Sequence, residues 1–128
     1  MAEQENHADI RHAVRRLCAE FPGEYWRKLD RERADPAEFV KALTERGWLS
    51  GLIPEAYGGA GCDFLYSAIM IEEQGRALAS GPAFSLHNDI VVPYLLHYGS
   101  EEQKKKWIPK ACSGELVTAI AMTEPGTG

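Results

Sequence analysis

The chain has 128 residues, 45% hydrophobic and 26% charged, with a formal net charge of -5. This is the balance of a soluble domain long enough to bury a core, and its mild acidity argues against a nucleic-acid surface or a basic membrane-binding patch. No apolar run approaches the roughly 20 residues of a membrane-spanning helix. The acidic start, Met1-Ala2-Glu3-Gln4-Glu5, reads as neither a secretory signal nor an Arg-rich transit peptide. Cys18, Cys62 and Cys112 lack metal-ligand or disulfide spacing, so reduced thiols, no metal site and a cytoplasmic address are expected.

Apolar side chains at Ile10, Val14, Leu17 and Phe21 predict a helix over 9–21, with Arg11, Arg15 and Arg16 turned mostly to water. Pro22-Gly23 interrupts it, and the charged run 24–34 predicts a short second helix packing Tyr25, Trp26 and Leu29. Asp35-Pro36-Ala37-Glu38 is a helix start, with Asp35 as cap, Pro36 at the first helical position and Glu38 at capping-box spacing. That helix turns Phe39, Val40 and Leu43 inward and ends near Gly47 in a left-handed cap.

The apolar run Trp48, Leu49, Leu52 and Ile53 is too short for a helix and is expected to cross the core. Gly58, Gly59 and Gly61 lack the strand-turn-helix setting of a dinucleotide fingerprint and read as a sharp structural loop. Asp63 is placed to cap a helix packing Leu65, Ala68, Ile69 and Leu78. Glu72 and Glu73 sit near its middle, but adjacent helical residues point about 100° apart. They do not converge on one substrate atom, and bonds to neighbouring helices or water are expected.

Ser80-Gly81-Pro82 opens a long helix through His97 that is apolar nearly all round and expected to be mostly buried. Pro93 should kink it or free a carbonyl. Such a helix serves equally as a core element or as the wall of an alkyl pocket. His87, with no nucleophile near it in sequence, reads as a hydrogen-bonded packing residue. Gly99 ends the helix, Ser100-Glu101-Glu102-Gln103 forms a capping box, and Trp107, Ile108 and Ala111 anchor the next helix.

The last stretch differs in kind. Val117 to Ala121 is strand-like, Glu124 before proline is extended, and Pro125-Gly126 fits the central pair of a type II turn. Gly126 and Gly128 leave bare backbone whose N–H groups can approach a flat or phosphorylated ligand. A lone strand needs partners, so 117–121 is expected to begin a sheet continued beyond Gly128.

Ala121-Met122-Thr123-Glu124-Pro125-Gly126-Thr127-Gly128, following helical sequence, resembles the signature that opens the middle β-domain of acyl-CoA dehydrogenases. The stretches 53–61, 71–73 and 97–104 resemble that family's loop between its second and third helices, its third helix, and the junction before its fifth helix. The four occur in order and cover roughly 35–128. Gly81-Pro82-Ala83-Phe84-Ser85-Leu86-His87 is closest to the long-chain branch. The resemblance implies an all-α N-terminal helical bundle over 1–115, with 116–128 starting a truncated middle β-domain.

It also implies the N-terminal part of an FAD-dependent oxidoreductase that desaturates fatty acyl-CoA thioesters at the α,β-bond in β-oxidation. The implied partners are an acyl-CoA substrate, an electron-transferring flavoprotein and copies of the same chain in a tetramer or dimer. Ile120, Ala121, Met122, Thr123 and Gly128 match flavin-contacting positions, with Met122 and Thr123 at the pyrimidine edge. Pro82, Ala83, Leu86, His87 and Ile90 match positions along the acyl-chain pocket. Thr127 stands where alanine is common, the Ser-Asp pair that normally comes next lies beyond Gly128, and no carboxylate here matches the catalytic glutamate. A non-catalytic helical module that binds acyl chains or proteins, or another flavoenzyme on this scaffold such as an acyl-CoA oxidase, are the competing readings.

Overall fold

The computed structural model describes residues 2–79, 81 and 83–127, with side chains from residue 7 onward. Among the described residues six α-helices succeed one another: α1 (Ala2–Glu20), α2 (Gly23–Glu32), α3 (Ala37–Glu45), α4 (Phe64–Arg76), α5 (Val92–Tyr98) and α6 (Glu101–Cys112). A 3₁₀ turn, Glu55–Tyr57, precedes α4, and a π-helical segment, Leu86–Val91, runs directly into α5. The all-α expectation holds. The expected strand at 117–121 is not formed among the described residues, because its backbone groups find no parallel or antiparallel neighbour there.

The apolar side chains fall into two clusters. Val14, Leu17 and Cys18 of α1 meet Phe39, Ala42 and Leu43 of α3, Met70 of α4, Leu49 and Phe84. Phe21, Tyr25, Trp26 and Phe39 close this cluster edge to face, with ring centroids 5.0–5.2 Å apart. The second cluster joins Ile53, Val92, Ile108, Ala111 and Cys112. The run 48–53 does cross the core: Leu49, Ser50 and Ile53 are all buried. At Gly59 an added Cβ would lie 2.0 Å from the Ile53 carbonyl oxygen, so the glycine loop turns as sharply as its composition suggests.

Several local expectations need correcting. The first helix begins at Ala2 rather than near residue 9. Arg15 and Arg16 are exposed as expected and Arg11 is intermediate, but Arg11 and Arg15 also reach across to α4. Both grip Glu73 of α4, whose side chain is 1% exposed: Arg15 donates to it at 2.6 and 2.9 Å and Arg11 at 2.9 Å. Arg11 and Arg76 also pair with Glu72. Asp35 does not cap α3. Pro36 takes the cap position itself and its carbonyl accepts from Val40 N–H at 3.0 Å, so no capping box forms. Asp63 does cap α4, accepting from Tyr66 N–H at 3.1 Å.

Leu65 and Leu78, expected inside, are exposed, Leu78 at 80%, because α4 ends at Arg76 before reaching it. Trp107 is likewise partly exposed, and Ile108 and Ala111 alone of the expected anchors are fully buried. The helix expected over 80–97 is a composite. The Val92 N–H donates to the His87 carbonyl five residues back, so the turn before Pro93 widens instead of breaking. Pro93 then sits in the first turn of α5, where a missing N–H costs little. Among the described residues of this stretch only Phe84, His87, Asn88 and Val92 are buried and Ile90 and Tyr94 are exposed, so the expectation that most of it is buried does not hold.

Candidate functional site

The π segment places two adjacent polar residues in the interior. Asn88 accepts from Ser50 N–H and donates to the Trp48 carbonyl, both at 2.9 Å, which holds Ser50 in a left-handed conformation (φ 60°). His87, 5% exposed, reaches the other way. Its Nδ1 accepts from Thr118 N–H at 3.2 Å with the Thr118 hydroxyl at 2.9 Å, and its Nε2 lies 3.2 Å from the Ala111 carbonyl. Since Nδ1 must accept, Nε2 carries the proton and the ring is neutral. Burial pushes its pKa below the usual histidine range, against an opposite pull from the Ala111 carbonyl. His87 is therefore the hydrogen-bonded packing residue its sequence context suggests. With Val40, Leu43, Leu49, Phe84 and Val117 it also lines a small cavity of about 30 Å³.

The other residues matched to the acyl pocket lie on the same segment but face differently. Ala83, just ahead of it, is exposed in a left-handed conformation (φ 48°), which is unusual for a residue with a Cβ. Leu86 is half-buried, and Ile90, one turn on, is 49% exposed. The apolar surface continues through Tyr94 and Tyr98, whose rings pair at 4.7 Å. These tyrosines, Leu95, Trp107, Leu116 and Val117 line a groove of about 550 Å³. Val117 also borders a cleft of about 670 Å³ against Pro36, Val40 and Thr44 of the α3 region. Pro82 and Gly128 lie outside the described residues.

Beyond Thr118 the chain runs over the surface. Ile120, Ala121, Met122 and Thr123 are exposed, Met122 at 76%. Among the described residues, no backbone N–H or C=O from Ala119 to Thr123 has a partner. The next bonds close the Pro125-Gly126 turn: Thr127 N–H donates to the Glu124 carbonyl at 3.1 Å, with Gly126 at φ 89°. Thr127, the departure from the family pattern, uses its hydroxyl inside this turn, donating to the Glu124 carbonyl at 3.1 Å and accepting from Glu124 N–H at 3.3 Å. The run 119–123 leaves amide donors, carbonyl acceptors and an exposed threonine hydroxyl unengaged among the described residues.

The sequence singled out His87, Leu86 and Ile90 but not Asn88, Thr118, Tyr94 or Tyr98. The Tyr94–Tyr98 spacing of four was a usable signal for one helix face. The other two matter through residues far along the chain, which no local pattern reveals.

A buried polar pair, an apolar helix face and a backbone segment without hydrogen-bond partners among the described residues lie close together at this end of the chain. A family model, "Acyl-CoA dehydrogenase, N-terminal domain", matches residues 4–115. The chain belongs to the acyl-CoA dehydrogenase family, as an N-terminal domain of that type. It is 40% identical over 122 residues to the mitochondrial long-chain specific acyl-CoA dehydrogenase of Sus scrofa, covering 95% of this chain and 28% of that protein. It is 39% identical over 102 residues to the mitochondrial short-chain specific acyl-CoA dehydrogenase of Homo sapiens, covering 79% of this chain and 25% of that protein. The crystal structure of acyl-CoA dehydrogenase from Geobacillus kaustophilus superposes with a TM-score of 0.87 at 42% identity, covering 97% of this chain and 33% of that one. The chain thus spans a quarter to a third of the length of these relatives.

Proposed function

We propose that this chain forms the acyl-lining and flavin-facing N-terminal part of an FAD-dependent acyl-CoA dehydrogenase that desaturates fatty acyl-CoA thioesters in β-oxidation. One observation carries the reading: the exposed, unpaired segment 119–123 is rooted by Thr118 on the same π segment that presents Leu86 and Ile90. Residues 1–115 are assigned to the helical domain and 116–128 to the start of a middle β-domain.

Bound flavin supplies the acceptor for the hydride that leaves the β-carbon as the α-proton leaves to a carboxylate base. The residues of this chain bind and orient. The Met122 and Thr123 backbone and the Thr123 hydroxyl meet the pyrimidine edge, where donors stabilise negative charge on a reduced ring. Ile120 and Ala121 continue that contact, as does Gly128. Ala83, Leu86 and Ile90 face the alkyl chain, where each buried methylene contributes about 0.8 kcal/mol, and Pro82 is assigned to the same pocket by its match to the family position alone. His87 is assigned to this pocket by its match to the family's acyl-chain positions, with its ring bonded to Thr118 and Ala111. The base is assigned to no carboxylate of these residues. Glu72 and Glu73 in particular are committed to Arg11, Arg15 and Arg76.

An electron-transferring flavoprotein is the proposed acceptor and a homo-oligomer, tetramer or dimer, the proposed assembly. No helix among the described residues is long and apolar enough to cross a membrane. A cytoplasmic site is proposed from Cys18, Cys62 and Cys112, which are all free thiols. The test is the full-length gene product. It should be yellow and its flavin band should bleach when acyl-CoA is added without oxygen. A colourless protein indifferent to acyl-CoA overturns the proposal, and rapid reoxidation by oxygen with peroxide release would make it an oxidase instead. The 128 residues alone should bind FAD weakly or not at all, because few of the contacts are theirs. Stoichiometric flavin retained by the 128-residue chain through purification would contradict that.

A further inference from the structure

Building on the acyl-lining and flavin-facing assignments above, we propose that His87 is a positioning residue that keeps residues 119–123 in register with the helix carrying Leu86 and Ile90. Nδ1 takes the Thr118 N–H at 3.2 Å and sits 2.9 Å from its hydroxyl, while Nε2 holds the Ala111 carbonyl at 3.2 Å. One ring therefore ties together the π segment, the end of α6 and the root of the segment matched to the flavin. No other side chain among the described residues does this.

The ring has leverage because Thr118 is the last anchor before the exposed run. Leu116 N–H donates to the Lys110 carbonyl at 3.0 Å, Thr118 is held by His87, and the next hydrogen bonds belong to the turn at 124–127, which closes on itself. From Thr118 to Thr123 an extended chain spans roughly 17 Å. Its direction is set at Thr118. Hydride transfer needs the reacting atoms within a few ångström, and a displacement of about 1 Å can cost on the order of a hundredfold in rate. Leu86 and Ile90 flank His87 on the same segment, so the ring that directs the flavin-facing run also fixes its distance from the alkyl chain.

The neighbours of the ring are apolar: Val40, Leu43, Leu49, Phe84 and Val117. His87 is 5% exposed and its contact with Thr118 is part-buried, so a hydrogen bond there meets less competition from water than one on the surface. A ring that only filled volume would need no acceptor on that side.

Three substitutions separate these roles. His87→Asn keeps an acceptor near the Nδ1 position, His87→Gln reaches toward Ala111 instead, and His87→Phe fills the space with neither. In the full-length protein, His87→Phe and His87→Gln are expected to speed hydrogen exchange at the Thr118 amide at least tenfold. They should lower kcat about tenfold or more with KM for acyl-CoA within twofold, and His87→Asn should restore both. Nitrogen chemical shifts of the wild-type ring should report the Nε2–H tautomer.

Unchanged exchange at Thr118 in His87→Phe and His87→Gln overturns the proposal, as does an Nδ1–H tautomer. So does an Asn variant no better than Phe, with activity tracking thermal stability alone. Exchange and tautomer are read without flavin or acyl-CoA. A protein that ignores both ligands yet shows the expected exchange pattern therefore sinks the enzyme assignment and leaves the His87 tether intact.

Discussion

Glu73 illustrates how much one side chain can hold. Its carboxylate is buried, yet two guanidinium groups from α1 satisfy it, and hydrogen bonds from Arg15 and then Arg11 outweigh burial to bring its pKa down to about 2. The unfolded value is near 4.5. Because the folded pKa is the lower one, the stabilisation is complete above about pH 4.5 and is lost as pH falls toward 2. Glu73→Gln should therefore be less stable at neutral pH by about 2 kcal/mol, the scale of hydrogen bonds to a charged group. Urea midpoints of wild type and variant should converge as the pH drops through that window; a gap that stayed constant would refute the linkage. From the sequence, the divergence of adjacent helical side chains implied that Glu72 and Glu73 do not meet at one atom, yet both carboxylates reach Arg11 Nη1; the expected bonds to a neighbouring helix do form. That Arg11 and Arg15 were the partners was not legible, since 58 residues separate Arg15 from Glu73.

At the scale of elements, local chemistry was readable where donor and acceptor lie within one turn. The capping box at α6 forms as its residues dictate: Ser100 Oγ accepts from Gln103 N–H at 3.2 Å and Ser100 N–H donates to Gln103 Oε1 at 2.9 Å. Ser100→Ala should cost about 1 kcal/mol, seen as a lower thermal midpoint, while Ser100→Asp should retain most of it. The pattern at α3 misled, because Pro36 could occupy either the cap or the first helical position and the structure takes the cap. The π segment left no such local mark. The apolar pattern of 86–96 suits any helix, and the widened turn is decided by where His87 and Asn88 find their partners.

At the scale of the molecule, two apolar clusters meet at that polar pair. Asn88 binds the Trp48–Ser50 crossing and His87 binds α6 and the C-terminal run, so the π segment joins the halves with hydrogen bonds rather than with apolar contact alone. Asn88→Ala would leave the buried Ser50 N–H and the part-buried Trp48 carbonyl without this partner, at about 1–3 kcal/mol for a buried unsatisfied group. A drop in urea midpoint of that size, with no recovery in Asn88→Leu, is the expected result. Indifference to either change would show that the halves are held by apolar packing alone.

Helical periodicity and Gly and Pro punctuation marked the chain as a helical bundle, and the resemblance of four ordered stretches, 53–61, 71–73, 97–104 and 121–128, pointed to the family that the match over 4–115 shows. Those features act between residues a few positions apart, where backbone geometry leaves few choices. Only the tertiary structure decided that Leu65, Leu78 and Ile90 face outward, that Glu73 is an ion-pair centre, and that His87 turns inward to hold Thr118. Such outcomes depend on which distant segment arrives opposite a given side chain, and a one-dimensional pattern carries no record of that meeting.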